Sequence, residues 1–210
     1  MTNSANIVAA KLEVILKSRC NKVGLEESEK IIDMVMKFFE NLEGLRLKRS
    51  KLLQQAAETM RKTFGFEEVS VLMKGVDGFF RYEIIIGYNE KPEKELRSLV
   101  YTEEQIREPD SMPIVRINKY LDLTIAEAEQ KPDQKVGYAH PGLMTMARKN
   151  FEDFAYGDYL DLYVFGKDEK PLTVFELSAP RDGKLPSANK LKWLCLFALL
   201  LGNVIEYQTE

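Results

Sequence analysis

The sequence contains few of the residues that most often carry catalysis or bind metals. Its 210 residues include one histidine, His140, and two cysteines, Cys20 and Cys195, which lie far apart. A zinc site needs clustered His and Cys ligands, and a Ser-His-Asp set would depend on His140 alone. No segment matches a Gly-rich phosphate-binding loop. We therefore expect no metal site, and the cofactor, if there is one, is unknown from the sequence.

The chain also lacks an excess of charge of either sign. It has 30 Lys and Arg against 33 Asp and Glu, a net charge of -3, whereas a phosphate-binding surface needs a clear basic surplus. We expect no nucleic-acid partner. The first residues lack the basic start and apolar core of a signal peptide, so the cytoplasm is the expected compartment.

No apolar run is long enough by itself to span a bilayer. The longest, from Trp193 to Leu201, has no polar residue but covers only about half of the ~20 residues that a span requires. Polar residues flank it closely. We expect a buried helix that contacts neighbours on several sides, and no membrane partner.

Hydrophobic periodicity predicts helices first and strands afterwards. Residues 4–19, 26–41 and 45–64 carry apolar residues at spacings typical of helices. Residues 68–73 and 79–88 read as two strands joined by a turn at Asp77-Gly78, because glycine adopts the positive φ angles that tight hairpin turns need. The sequence thus predicts three helices followed by a β-hairpin.

The middle of the chain is less regular. Residues 93–107 are predicted to be helical in part, and residues 114–117 to form a short strand. Residues 121–130 and 143–154 are predicted as helices, separated by a polar loop that contains His140. The loop is rich in Pro and Gly, which favours a connection of low regularity.

A second hairpin and a long helix end the sequence. Residues 158–165 alternate, with leucines and Val164 on one face and tyrosines, Asp161 and Phe165 on the other. Residues 172–178 are the predicted return strand. Ser187 is a suitable N-cap for an apolar helix that extends to about residue 207.

The order of these elements resembles that of GAF domains. Residues 172–206, LTVFELSAPRDGKLPSANKLKWLCLFALLLGNVIE, are similar to the GAF ending of strand, loop and long apolar helix, and residues 45–73 resemble its opening; PAS and other profilin-like domains share the arrangement. The resemblance implies an α+β fold with a GAF-like antiparallel sheet flanked by helices. On this basis residues 45–210 form the domain, and residues 1–44 form an N-terminal helical extension that would act as a dimerisation arm.

In such a fold, helices cover one face of the sheet and a ligand pocket lies on the other. Candidate ligand-binding side chains are those on strands and in the middle loop that would point away from the helices: Tyr82, Arg116, His140, Asp161, Tyr163 and Glu176. A buried arginine needs an anionic partner, so Asp161 and Glu176 are the expected protein partners of Arg116. Each of these residues would otherwise be an edge or salt-bridge residue.

The resemblance implies a small-molecule sensor or regulatory domain that is a homodimer through its terminal helices and signals to a partner protein. GAF-type methionine sulfoxide reductases use cysteines in the middle loops, and GAF-type bilin attachment uses a cysteine near a histidine; neither fits this spacing. Two alternatives remain at this stage. One is an enzyme that acts on a small anionic metabolite through Arg116, His140 and a carboxylate. The other is a structural interaction module without a ligand.

Overall fold

The structure, a computed structural model, describes residues 3–20, 28–42, 47–107, 113–125 and 148–209. Its helices are α1 Asn3–Cys20, α2 Ser28–Glu40, α3 Arg49–Phe64, α4 Glu90–Arg97, α5 Glu103–Arg107 and α6 Ala188–Thr209. Its strands are β1 Phe66–Lys74, β2 Phe80–Ile86, β3 Val100–Tyr101, β4 Ile114–Asn118, β5 Leu121–Thr124, β6 Tyr159–Phe165 and β7 Pro171–Pro180. The predicted α-first order is confirmed.

The strands of the described residues form one sheet in the order β3-β2-β1-β7-β6-β5-β4. Every neighbouring pair is antiparallel, and both predicted hairpins, β1–β2 and β6–β7, are present. Pairing of β1 with β7 places the two hairpins side by side. The α+β class, the antiparallel sheet and the N-terminal helices agree with the sequence-based prediction.

One face of this sheet carries the main hydrophobic core. The apolar strand residues on this face pack with α1, α2, α3 and α6 in one continuous buried cluster. A second, smaller cluster on the opposite face contains the strand residues Leu72, Phe80 and Val174 together with Leu96 of α4. Phe197 of α6 lies near the centre of the main cluster, with its ring centroid 4.9 Å from Phe38, 5.4 Å from Phe39 and 6.3 Å from Phe64. Aromatic contacts of this kind contribute beyond the area that they bury. The four helices are therefore held on one side of the sheet.

The helix α6 is long and apolar enough to cross a membrane by length and composition, which the nine-residue run alone did not predict. In this fold it is a core helix, because Leu194, Phe197 and Leu201 are fully buried against the sheet and its neighbours. Gly202 marks its closest approach to the sheet. A Cβ at that position would lie 2.4 Å from the Phe165 carbonyl oxygen, so only glycine fits there without a shift of backbone.

Two predictions for the middle region are wrong. Residues 121–124 form β5 rather than the start of a helix, because the alternation Leu-Asp-Leu-Thr extends over only four residues and was included in a longer predicted helix. Residues 148–154 contain bends and turns instead of the end of a helix. The rest of both predicted helices, and the loop that contains His140, lies outside the described residues.

The division of the chain into residues 1–44 and 45–210 stays a prediction. Two residues of α1, Leu12 and Leu16, are fully buried, and this helix contacts both β4 and α6.

Candidate functional site

The face of the sheet opposite the core helices carries a row of polar side chains. The register of the strands places one residue from each of six strands side by side. Five of them are polar and the last is apolar: Arg116, Asp122, Asp161, Glu176, Ser70 and Ile85. Successive strand residues point to opposite faces, and the neighbours of these residues in sequence belong to the helix-covered core. We call its three acidic members, Asp122, Asp161 and Glu176, the carboxylate row.

Hydroxyl groups hold the Glu176 carboxylate in place. The Tyr82 hydroxyl donates to it, 2.7 Å from Oε1 and 2.9 Å from Oε2, and the Ser70 hydroxyl donates to Oε2 at 2.8 Å. A bulge in the β1–β2 pairing after Val71 brings Tyr82 opposite Leu72 and onto this face. The carboxylate therefore has a defined orientation, although none of its donors in the described residues carries a charge.

Asp161 and Asp122 continue the row towards β5. The Thr124 hydroxyl donates to Asp161 Oδ2 at 3.1 Å, and Asp161 is only 7% exposed. Asp122 is 2% exposed, and its Oδ2 atom is buried with no hydrogen-bond partner in the described part of the chain. A buried acceptor without a partner loses its hydration without compensation, which typically costs about 1–3 kcal/mol.

Burial and mutual repulsion favour the neutral forms of these acids. Burial raises the pKa of Glu176 from 4.5 to about 7, although the hydrogen bonds from Tyr82 and Ser70 act in the opposite direction. The pKa of Asp161 is raised by burial and then by the charges of Glu176 and Asp122. Burial also raises the pKa of Asp122. Since the neighbouring acids interact strongly, they titrate together rather than independently.

In the part of the chain that the structure describes, positive charge lies at the Asp122 end of the row. Arg107 is placed with its guanidinium carbon 4.5 Å from the centre of the Tyr163 ring, and it and Arg116 both favour the charged form of Asp122. Arg116 itself is exposed and donates to the Arg107 carbonyl oxygen at 3.1 Å. The prediction that Arg116 is a buried partner of Asp161 and Glu176 is therefore wrong, because β4 is an edge strand.

Four of the six predicted ligand-binding residues lie together on this face. Tyr82, Asp161 and Glu176 are grouped as described above, and Tyr163 lies two residues beyond Asp161 with its hydroxyl donating to the Ile106 carbonyl oxygen at 3.2 Å. Arg116 lies at the edge of the sheet, and His140 lies outside the described residues. A ligand-binding role for any of them stays a prediction.

Sequence reasoning missed three residues of this site, Asp122, Ser70 and Thr124. Asp122 was missed because residues 121–130 were interpreted as a helix. The alternation Leu-Asp-Leu-Thr directly after a turn is the signal that would have placed it on a strand. Ser70 would have been found by following the alternation of β1, since it lies between the core residues Val69 and Val71.

The described residues contain no group of three or more His, Cys, Asp or Glu side chains arranged to hold a metal ion. The carboxylate row extends across three neighbouring strands, which lie about 4.8 Å apart. Its oxygens are therefore spread along a line rather than gathered around one point.

No protein-family model matches this chain, and no curated protein matches it. Several solved structures, in contrast, are similar to it. The GAF domain of a phosphoenolpyruvate-protein phosphotransferase from Acinetobacter is similar with a TM-score of 0.54 at 11% identity, over 86% of this chain and 95% of that one. A domain named as part of a two-component sensor histidine kinase from Sinorhizobium meliloti has a TM-score of 0.52 at 10% identity, over 78% and 94%.

A third similar structure is free methionine-R-sulfoxide reductase from Neisseria meningitidis in complex with its substrate. Its TM-score is 0.52 at 9% identity, over 89% of this chain and 95% of that one. Identities this low establish similarity of fold and nothing finer. Together with the sheet order and the position of the helices, they show that the chain has a GAF-like fold.

Proposed function

We propose that this chain is a sensor or regulatory domain that binds a small molecule on the sheet face opposite the core helices. The observation that carries the proposal is the carboxylate row, because a buried set of acids held by hydroxyl groups contributes nothing obvious to folding. Perturbed ionisable groups gathered on one surface are typical of functional sites. The similarity to a sensor-kinase domain supports a regulatory role, and the cytoplasm is its proposed location.

An enzyme that acts on an anionic metabolite is a weaker proposal. Three neighbouring carboxylates repel an anion, and Arg116 is exposed at the sheet edge. The reductase among the similar structures offers no better model, since this chain has no cysteine between Cys20 and Cys195. We therefore retain the sensor proposal.

Native mass spectrometry of the full chain, purified without a refolding step, tests the sensor proposal. We expect a bound small molecule that survives desalting and is lost on denaturation. The variant Tyr82→Phe keeps the ring but removes the hydroxyl that holds Glu176, so it should retain less of that molecule. A spectrum of the bare chain, unchanged after incubation with a metabolite extract, would favour a structural module without a ligand.

We further propose that the domain is a homodimer through α2 and α6, and that it signals to a partner protein. An apolar groove of about 680 Å³ lies between these helices; we call it the α2–α6 groove. Three residues that line it are exposed, Met36 at 54%, Leu196 at 38% and Tyr207 at 77%. A contiguous exposed apolar surface of this kind is typical of interfaces, and a second copy would cover it through the same helices.

Analytical ultracentrifugation tests the dimer. We expect the wild-type chain to sediment as a dimer and Leu196→Glu to sediment as a monomer, because the charge would lie in the α2–α6 groove. Val76→Glu is the matched control, since Val76 lies fully exposed in the β1–β2 turn. A monomeric wild-type chain at high concentration would refute this part of the proposal.

A further inference from the structure

The carboxylate row gathers three acidic side chains in a buried position, which is unfavourable for folding. Asp122 pairs directly with Asp161 across β5 and β6, and Asp161 with Glu176 across β6 and β7. Like charges directly opposite each other on neighbouring strands are destabilising. None of the three acids forms an ion pair with a Lys or Arg of the described residues. Within the described ranges, the row thus has no cation at ion-pair distance.

Another buried acid in the chain shows the contrasting arrangement. Asp158, just before β6, is fully buried, and its Oδ2 atom lies 2.7 Å from the Arg148 guanidinium. It also accepts a hydrogen bond from the Ala155 backbone N–H at 2.8 Å. Here burial of a carboxylate is compensated by a cation, as expected for a structural ion pair. Asp161, three residues further along the chain, accepts from the Thr124 hydroxyl and has no cation beside it within the described ranges.

The Oδ2 atom of Asp122 is a second, independent indication that a hydrogen-bond donor from outside the chain binds here. This oxygen is buried and meets no donor at hydrogen-bond distance among the described residues. The Tyr163 hydroxyl interacts with this carboxyl and lowers its pKa, but it donates its proton to the Ile106 carbonyl oxygen. The hydroxyls of Tyr82, Ser70 and Thr124 each satisfy Glu176 or Asp161 instead. A donor supplied from outside the chain would satisfy this acceptor, and a positively charged donor would also offset the repulsion along the row.

We propose that Asp122, Asp161 and Glu176 bind the ammonium or guanidinium group of a small organic molecule on this face of the sheet. This inference rests on the proposed sensor function and names the chemical class of its ligand. The Tyr82 and Ser70 hydroxyls hold Glu176, and the Thr124 hydroxyl holds Asp161. The remaining lone pairs of these carboxylates, and Oδ2 of Asp122, would accept from the cation.

The spacing of the row favours an organic cation over a metal ion. Metal ions such as Mg²⁺ and Ca²⁺ need several oxygens at about 2.0–2.6 Å from one centre. Cross-strand neighbours on one face have Cβ atoms about 4.5–5.5 Å apart, and the three acids lie in a line. Ammonium and guanidinium groups carry several N–H donors that point in different directions, so they suit acceptors that are spread out.

Thermal unfolding and calorimetric titration of the full chain at pH 8 test this inference, with probes paired by shape. Putrescine is compared with 1,4-butanediol, and methylguanidinium with N-methylurea, each at millimolar concentration, with succinate as the anion and MgCl₂ as the metal. We expect at least one of the two cations to raise the Tm by about 3 °C or more, and its neutral counterpart to have no effect.

Isosteric variants locate the binding site. Asp122→Asn and Asp161→Asn remove one charge each with little change of shape, and both should weaken cation binding about tenfold or more, because a charge-assisted hydrogen bond is lost. Glu83→Gln removes the same charge from an exposed position on β2 and should bind as the wild type does. Circular dichroism verifies that each variant is folded.

Each contrary result overturns the inference and leads to a different conclusion. Stabilisation by the diol, the urea or succinate shows that the face binds ligands of another class, which leaves the sensor proposal intact. Stabilisation by MgCl₂ alone assigns the row to a metal ion. If no probe shifts the Tm, or if both Asn variants bind cations as the wild type does, the cationic class is wrong; the co-purified ligand sought by mass spectrometry then decides the sensor proposal separately.

Discussion

The two faces of the sheet in this chain differ in the kind of side chain that they bury. The face under α1, α2, α3 and α6 carries apolar side chains in continuous contact, and Phe175 and Leu177 of β7 are fully buried in it. The opposite face of the same strand carries Glu176, whose neighbours across the sheet are Asp161 and Ser70. The face under the four helices carries the larger hydrophobic cluster. The opposite face combines a smaller apolar cluster, which includes Leu72, Phe80 and Val174, with buried, neighbouring acids whose burial and mutual repulsion oppose stability.

The strongest test of the helix-covered face is Phe197→Ala. Phe197 is fully buried and contacts three other aromatic rings, so its truncation should lower the free energy of unfolding by about 3–5 kcal/mol. Urea unfolding followed by circular dichroism measures the change. Leu199→Ala is the control, because Leu199 lies on the same helix but is 47% exposed; about 0.5 kcal/mol or less is expected. Equal losses for the two variants would mean that α6 is not packed as described.

A second test compares a buried acid that has a cation with one that has none. Arg148→Met removes the guanidinium that lies 2.7 Å from the buried Asp158 carboxylate, which should cost about 3–5 kcal/mol. Asp161→Asn replaces an acid whose pKa is raised by burial and that has no partner cation in the described residues, so stability should change by about 1 kcal/mol or less, or increase. Chemical unfolding of both variants at pH 7 gives the comparison. A large loss for Asp161→Asn would show that its charge is structurally required.

The third test is the pH dependence of stability, which should come from the carboxylate row. With the pKa of Glu176 raised from 4.5 to about 7, the folded chain binds more protons than the unfolded chain between these values. The free energy of unfolding therefore falls as the pH rises through this window, by up to about 3 kcal/mol between pH 5 and pH 8. Exposed carboxyls whose pKa is lowered, such as that of Asp153, change their protonation at lower pH, so they contribute to the pH dependence of stability below this window.

Glu176→Gln should flatten this pH dependence, and Glu83→Gln should leave it unchanged. The groups that face Glu176 from the packed elements are Ser70, Tyr82, Tyr88, Tyr101 and Asp161. Asp161 is the other carboxyl among them, and burial raises its pKa too. Urea titrations at intervals from pH 5 to pH 8 measure the slope. A wild-type stability that rises over this interval contradicts the assignment.

The smallest expected effect concerns the close approach at Gly202. Gly202→Ala places a Cβ 2.4 Å from the Phe165 carbonyl oxygen and should cost about 1–3 kcal/mol, although alanine is normally the better helix former. Asn203→Ala changes the adjacent, exposed position of α6 and serves as the control. A Gly202→Ala variant as stable as the wild type would show that α6 can move away from β6 at little cost.

The correct predictions from the sequence concern elements whose pattern is regular over their whole length. The strand β6 alternates leucines with polar and aromatic residues, so its two faces were assigned correctly, and with them the side of the sheet that carries Asp161 and Tyr163. The helix α6 was predicted because its apolar run is long. The antiparallel hairpins followed from the turn residues between the strands.

What the sequence did not reveal depended on pairing between distant segments. Asp122 lies on a four-residue strand, which is too short to show its period. Its place beside Asp161 follows from a register that joins residues about 40 positions apart. The bulge that turns Tyr82 towards Glu176 is likewise a property of the pairing of β1 with β2. Burial of Arg116 was wrongly expected because the sequence does not show which strand lies at the edge.

Gly202 also limits how a signal could pass along α6. Because no side chain fits between this residue and the Phe165 carbonyl oxygen, the helix cannot slide along its axis to bring Leu201 or Asn203 into that place. A rotation about this contact would displace the helix most at its ends. At its last turn Glu206 accepts a hydrogen bond from the Lys167 backbone N–H at 2.6 Å.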